Sequence, residues 1–372
     1  MEINKAKKIS GLVKIPGDKS ISHRSAIISS LTNDNVLIKN YLFSKDCIHT
    51  LEVLKKLGVK IENIAGDILI YGKGIKNFKE PNDILYVGNS GTTIRLMCGV
   101  LSATNFISVL SGDNSINNRP MKRIIEPLSN MGSRIFGRDN NNKAPIIIMG
   151  NNGLKGKIFK FDISSAQVKS SIALAGLFAE GTTEIIQPEI SRDHTERMLE
   201  YFGADIEYNG KYTKINQAKE LKGKNLFIPG DISSAAYFIV ASLILKDSNI
   251  LIKNVGLNPT RSSFIEILKK MGAEIIVKNL RVVNNEQIAD IESSTSTMYG
   301  VDIDKSIIPN LIDEIPILCV AAVFAEGKTL IEGASELRYK ESDRLKAIYE
   351  QFKKAGAELE IKNDNLIIYG KR

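Results

Sequence analysis

A chain of 372 residues is too long for one ordinary hydrophobic core and points to two domains. Its 43% hydrophobic and 25% charged residues are those of a globular protein, which excludes a disordered or fibrous chain. Lysine plus arginine exceeds aspartate plus glutamate by 50 − 42 = 8, so anionic partners are favoured; tryptophan is absent and aromatics are only 6%, so no basic surface interleaved with stacking rings is visible, and small metabolites suit the chain better than nucleic acid.

In chain order, the extended run 11–15 is broken by Pro16 and Gly17, and Ser20 is read as the N-cap of a helix carrying Ile21, Ala26, Ile27 and Leu31. Lys19 stands just before this helix and Arg24 one turn inside it, so two cations and the unpaired N–H groups of a helix start share a small volume suited to an anion. Taken alone, such a start is more often simply solvated. The stretch 87–95, Val-Gly-Asn-Ser-Gly-Thr-Thr-Ile-Arg, offers a second such site, where Gly91 permits close backbone approach. A polar loop, 111–121, then ends in Arg119 before Pro120, which is read as opening a helix. Further on, Asp313 and Glu314 start a very apolar run, where a carboxylate is half-desolvated and its proton affinity open to tuning. The charged stretch 338–344 is read as the start of another helix, with Lys340 and Arg344 at i and i+4 on one face.

Cys47, Cys98 and Cys319 lie far apart in apolar helical patterns, which suits buried thiols in a reducing compartment; neither disulfide nor zinc spacing follows. The N-terminus has no apolar segment of a secretory signal, and the longest apolar runs, 235–245 and 315–325, are too short to span a bilayer. The expectation is a cytoplasmic protein without membrane contact.

An internal repeat organises the whole. Five times an amphipathic helix ends in a glycine and runs into an extended segment, at Gly58, Gly132, Gly203, Gly272 and Gly356, with spacings of 74, 71, 69 and 84 residues. Each unit also has a second helix with small polar residues at its start, as in Ser164-Ser165-Ala-Gln167 and Ser233-Ser234. Strand-like runs fall between the helices, so the unit reads strand, helix, strand, helix, strands.

Lys19-Ser20 with Arg24, Asn89-Ser-Gly-Thr92, Gly112-Asp113 with Arg119-Pro-Met121, Ser165-Ala-Gln167, Ser191-Arg-Asp-His-Thr195, Gly230-Asp-Ile-Ser-Ser234, Leu311-Ile-Asp313 and Lys340-Glu-Ser-Asp-Arg344 occur in one order along the chain. In combination they resemble the 3-phosphoshikimate 1-carboxyvinyltransferases (5-enolpyruvylshikimate-3-phosphate synthases) of the enolpyruvyltransferase family. The resemblance implies an α/β fold of two domains built from βαβαββ units, an inside-out α/β barrel with helices in the core and sheets outside. It places the first three units at residues 16–226 and the second domain at 1–15 plus 227–372. The family has six units, whereas five are counted here, so the sixth is expected to be missing, together with two cationic elements on its phosphoenolpyruvate side.

The implied reaction moves the enolpyruvyl group of phosphoenolpyruvate to the 5-hydroxyl of shikimate 3-phosphate, in the shikimate pathway of aromatic amino-acid biosynthesis. On the family's pattern Lys19, Ser20, Arg24, Ser165, Gln167, Asp313 and Lys340 hold shikimate 3-phosphate, and Lys19, Gly91, Arg119, Gln167 and Arg344 hold phosphoenolpyruvate. Asp313 takes the hydroxyl proton, and Glu341 with Lys19 supplies one to the methylene carbon. No metal, organic cofactor or nucleic acid is implied, and a monomer is expected. Two alternatives stand beside this reading. One is a truncated, weakly active or inactive member that binds anionic metabolites. The other is UDP-N-acetylglucosamine enolpyruvyltransferase, disfavoured because the loop 112–119 has no cysteine and Ser20 follows Lys19 where that enzyme carries asparagine.

Overall fold

A computed structural model describes residues 5–150, 153–339 and 343–371. The chain divides into two compact units, Gly17–Ile228 and Met1–Pro16 with Pro229–Arg372.

In the Gly17–Ile228 unit, Asn35–Lys39 alternates, burying Val36 and Ile38 with exposed or half-exposed residues between, the period of a sheet with one covered face. It pairs antiparallel with Asp67–Tyr71, register Val36↔Ile70 and Ile38↔Ile68, and that strand pairs antiparallel with Lys60–Ile64 across a turn where Ala65 and Gly66 both have positive φ. The fourth strand, Leu226–Phe227, lies parallel to Asn35–Lys39 and comes from the far end of the unit, closing the chain on itself. The same order recurs in Leu85–Tyr86, Ser108–Ser111, Lys143–Met149 and Arg134–Gly137, and again in Ile158–Lys160, Thr182–Ile186, Tyr212–Asn216 and Ile206–Tyr208. Each sheet has one parallel pairing and two antiparallel ones.

The helices Lys19–Ser30, Gly91–Leu101 and Ala166–Gly176 run through the interior and are buried along almost their whole length. Being covered all round, they need no apolar stripe, and Ser25 and Ser30 fit there by returning their hydroxyls to carbonyls three residues back. Gly99 lets two of these helices touch, since a Cβ there would sit 2.1 Å from the Ser171 carbonyl oxygen.

The other unit holds two sheets of the same order. Ser10–Val13 lies parallel to Asn249–Gly256, with Ser10 opposite Asn249, followed by Glu286–Ser294 and Ile275–Val283. Asp302–Ile303, Gly327–Ile331, Asn365–Gly370 and Glu358–Lys362 form the second. Its core gathers around the helices Ile232–Ile244 and Ile315–Val323. Among the described residues no single helix is long and apolar enough to cross a membrane.

The five repeat glycines all have φ between 81° and 99°. At each, the glycine N–H returns to the carbonyl three residues back and the next N–H to the carbonyl five back, as in Gly58 to Lys55 and Val59 to Leu54. These are five Schellman stops, which explains why a glycine marks the same point in each repeat. Two expected helix starts are displaced. Asp18 rather than Ser20 caps the first helix and accepts from the Ile21 N–H; Asp231 likewise caps the helix Ile232–Ile244 and accepts from the Ser233 N–H. In both, a carboxylate stands two residues ahead of the serine and is the stronger acceptor for a positive helix end. Pro120 opens no helix; the next one runs Lys122–Asn130 with Met121 at its N-cap.

Candidate active site

In the Gly17–Ile228 unit the starts of the three interior helices are tied to one another. Arg24 is only 4% exposed. Its Nε donates to Thr195 Oγ1 at 2.7 Å, its Nη2 to Ser170 Oγ at 2.9 Å and its Nη1 to the Ser20 carbonyl at 3.0 Å. A guanidinium keeps its charge when buried, so this end of the unit is fixed positive. Gln167 joins the other two helices: its Nε2 donates to Thr92 Oγ1 at 3.1 Å and its Oε1 accepts from Arg95. Ser165 caps its helix by accepting from the Val168 N–H, and Ser90 caps Gly91–Leu101 by accepting from the Thr93 N–H.

Arg119 donates from Nη2 to Asn89 Oδ1 at 2.8 Å, which holds it over the start of the Gly91–Leu101 helix. A Cβ on Gly91 would come within 2.9 Å of Arg119 Nη1, so the glycine leaves that guanidinium room. Lys19 is exposed and forms an ion pair with Asp46. Arg24, Ser165, Gln167, Gly91 and Arg119 thus cluster around adjoining helix N-termini, an arrangement of fixed donors and positive charge matched to carboxylate and phosphate. Beneath it, the buried Lys169 and Glu196 pair at 2.7 Å, joining the helices Ala166–Gly176 and His194–Tyr201 next to the two hydroxyls that hold Arg24.

In the other unit Arg344, first residue of the helix Arg344–Lys354, donates from Nη1 to Asp313 Oδ1 at 2.9 Å and to the Ile312 carbonyl at 3.1 Å. Asp343 caps that helix, and the Lys346 backbone N–H, with Arg338 beside it, draws its carboxyl below the ordinary range. Asp313 is half-exposed, whereas Glu314 is buried, accepts from Ser233 Oγ and lies 3.6 Å from Arg261, which also reaches Asp231. Asp313 and Glu314 precede the helix Ile315–Val323 rather than lying inside it. Lys340 and Glu341 lie outside the described residues, and the helix expected to carry Lys340 begins only at Arg344.

Sequence reasoning assigned no role to Arg95, Ser170, Thr195 or Arg261. Their positions beside the motifs were visible, but their partners lie up to 171 residues away, as Thr195 does from Arg24. Cys47, Cys98 and Cys319 are buried free thiols, each pushed up to about 12 by burial. Among the described residues no three His, Cys, Asp or Glu side chains gather as a metal would require.

The model of the family EPSP synthase (3-phosphoshikimate 1-carboxyvinyltransferase) matches residues 3–372. A 3-phosphoshikimate 1-carboxyvinyltransferase of Petrotoga mobilis is 50% identical over 372 residues, covering all of this chain and 86% of the relative. One of Bacillus pumilus is 46% identical over 371 residues, with the same coverage. Among solved structures, an EPSP synthase from Acinetobacter baumannii superposes with a TM-score of 0.90 at 42% identity, over 99% of this chain and 83% of that one. Sequence and fold agree over essentially the whole chain, and the chain belongs to the EPSP synthase (3-phosphoshikimate 1-carboxyvinyltransferase) family.

Proposed function

We propose that this protein transfers the enolpyruvyl group of phosphoenolpyruvate to the 5-hydroxyl of shikimate 3-phosphate and releases inorganic phosphate, acting as a cytoplasmic monomer. The observation that carries the reading is the junction of three helix N-termini around Arg24, Gln167 and Arg119 in a chain of this family. Both substrates bear phosphate and carboxylate, and fixed N–H donors with buried positive charge suit such groups.

In this reading Arg24, Ser20, Ser165, Gln167 and Lys340 hold shikimate 3-phosphate, while Arg119, Arg344, Gln167 and the open backbone at Gly91 receive phosphoenolpyruvate. Lys19 serves both. Asp313 takes the proton of the 5-hydroxyl as its oxygen attacks C2 of phosphoenolpyruvate. Glu341, with Lys19, delivers a proton to C3, giving a tetrahedral intermediate with a methyl group. Loss of a proton from that methyl and of phosphate from C2 restores the double bond. The Arg344–Asp313 contact supports this assignment by joining a proposed phosphoenolpyruvate ligand to the proposed base. Positioning and general acid–base action of this kind each contribute orders of magnitude in rate.

The test is to mix the purified chain with each substrate alone and with both, and to measure inorganic phosphate. Release is expected only when both are present. Release from phosphoenolpyruvate alone, or none under any condition, would overturn the reading.

A further inference from the structure

Behind the start of the Gly91–Leu101 helix lies a buried line of side chains that the reaction above does not use. His23 is fully buried on the helix Lys19–Ser30, between Lys19 and Arg24. Its Nδ1 lies 2.7 Å from Thr50 Oγ1 on the helix Lys45–Lys56. Thr50 Oγ1 lies 2.7 Å from Thr93 Oγ1, and Thr93 Oγ1 donates to Ser90 Oγ at 2.6 Å. Ser90 Oγ also accepts the Thr93 backbone N–H at 3.1 Å, the bond that caps the helix. Four buried side chains on three helices therefore form one continuous path ending at the helix start that carries Gly91.

The direction of the path can be worked out proton by proton. Thr93 has one hydroxyl proton, and its geometry gives that proton to Ser90. The close Thr50 contact must then use the Thr50 proton, in preference to the Asp46 carbonyl 3.5 Å away. Thr50 is left as an acceptor, so His23 must donate from Nδ1. The histidine is then a neutral Nδ1–H tautomer whose Nε2 is a bare acceptor, and Nε2 has no hydrogen-bond partner among the described residues. Burial, with Lys19 adding to it, pushes the imidazole down to about 3, so the neutral form persists at working pH.

We propose that His23 is a positioning residue for the phosphoenolpyruvate side of the site, acting through its Nδ1–H tautomer and the Thr50–Thr93–Ser90 hydroxyl relay to fix the backbone N–H groups that begin at Gly91. The proposal rests on the functional reading above. Were the tautomer reversed, the hydroxyls would have to turn, Ser90 would donate to Thr93, and the cap would lose an aligned acceptor.

Two measurements test it. The chain has three histidines, so ¹⁵N NMR of histidine-labelled protein, assigned with variants of His49 and His194, reads the His23 tautomer directly without substrate. Protonation at Nδ1 is expected; protonation at Nε2 overturns the proposal whatever the enzyme does. In steady-state kinetics, His23→Leu and Thr50→Val should each raise the KM for phosphoenolpyruvate about tenfold, the scale of one lost buried hydrogen bond, with the KM for shikimate 3-phosphate changed less than about twofold. The double variant should be no worse than either single, because both cut one chain. His23→Asn, whose side-chain amide can donate from nearly the place of Nδ1, should restore the wild-type KM. Equal rises in both KM values, or no rescue by Asn, would reduce His23 to packing. Absence of wild-type turnover would instead strike the functional reading and leave the tautomer result standing.

Discussion

Arg24 shows how one residue serves both fold and site. Three bonds aim its guanidinium, two of them donated to hydroxyls on distant helices, so Arg24→Lys should weaken shikimate 3-phosphate binding by roughly tenfold or more although charge is kept, because an ammonium cannot reach the same three partners. Calorimetry with shikimate 3-phosphate measures this, and unchanged affinity would remove Arg24 from the binding set. The sequence revealed this arginine but not its partners, and likewise revealed Asp313 and Arg344 without their contact, because 31 residues separate them and no helical or strand period relates them. His23 makes a prediction for stability. Its folded-state pKa, about 3, lies below the ordinary 6.5, so only the unfolded chain takes up a proton between those values. Its contribution is fully present above pH 6.5 and is lost as pH falls toward 3. Urea unfolding at pH 5 should show a loss of about 2 kcal/mol from this group relative to pH 7, and His23→Asn should abolish that share of the slope. An identical pH dependence in the variant would contradict it.

At the level of elements, the stops were more legible than the starts. A left-handed residue closing a helix is nearly always glycine, so five glycines after amphipathic runs identified five helix ends, and all five are Schellman motifs. Starts were less legible because Asp and Ser compete to cap, and two residues of slack moved the cap from Ser20 to Asp18. Gly203 isolates the backbone term. Its φ is 81° and a Cβ would meet nothing within 4 Å, so Gly203→Ala should cost about 1 kcal/mol from strain alone, read as a lower urea midpoint with an unchanged slope. Lys169–Glu196 tests the pairing of elements instead. Glu196→Ala strands a fully buried ammonium and should cost about 3–5 kcal/mol, and a loss below about 1 kcal/mol would show that Lys169 finds another partner or leaves the core.

For the whole molecule, one four-stranded plan occurs five times among the described residues, and the strand that completes the first sheet of each unit comes from elsewhere in the chain. Leu226–Phe227 returns to Asn35–Lys39, and Ser10–Val13 joins Asn249–Gly256. The repeat showed in the sequence because every copy must stop its helix and turn its hairpin alike. These two edge pairings did not, since a strand two to four residues long carries too little pattern to announce its partner. The consequence for function is that helix starts from all three copies of the Gly17–Ile228 unit lie side by side, as Gln167 and Arg24 show by bonding across them. A site assembled this way is suited to anions, and the proposed addition–elimination route carries a signature. With phosphoenolpyruvate, shikimate 3-phosphate and the chain in D₂O, proton and phosphorus NMR should show phosphate forming one for one with an enolpyruvyl ether whose methylene carries solvent deuterium. Phosphoenolpyruvate left unchanged, or product formed with no solvent hydrogen in its methylene, would contradict the account.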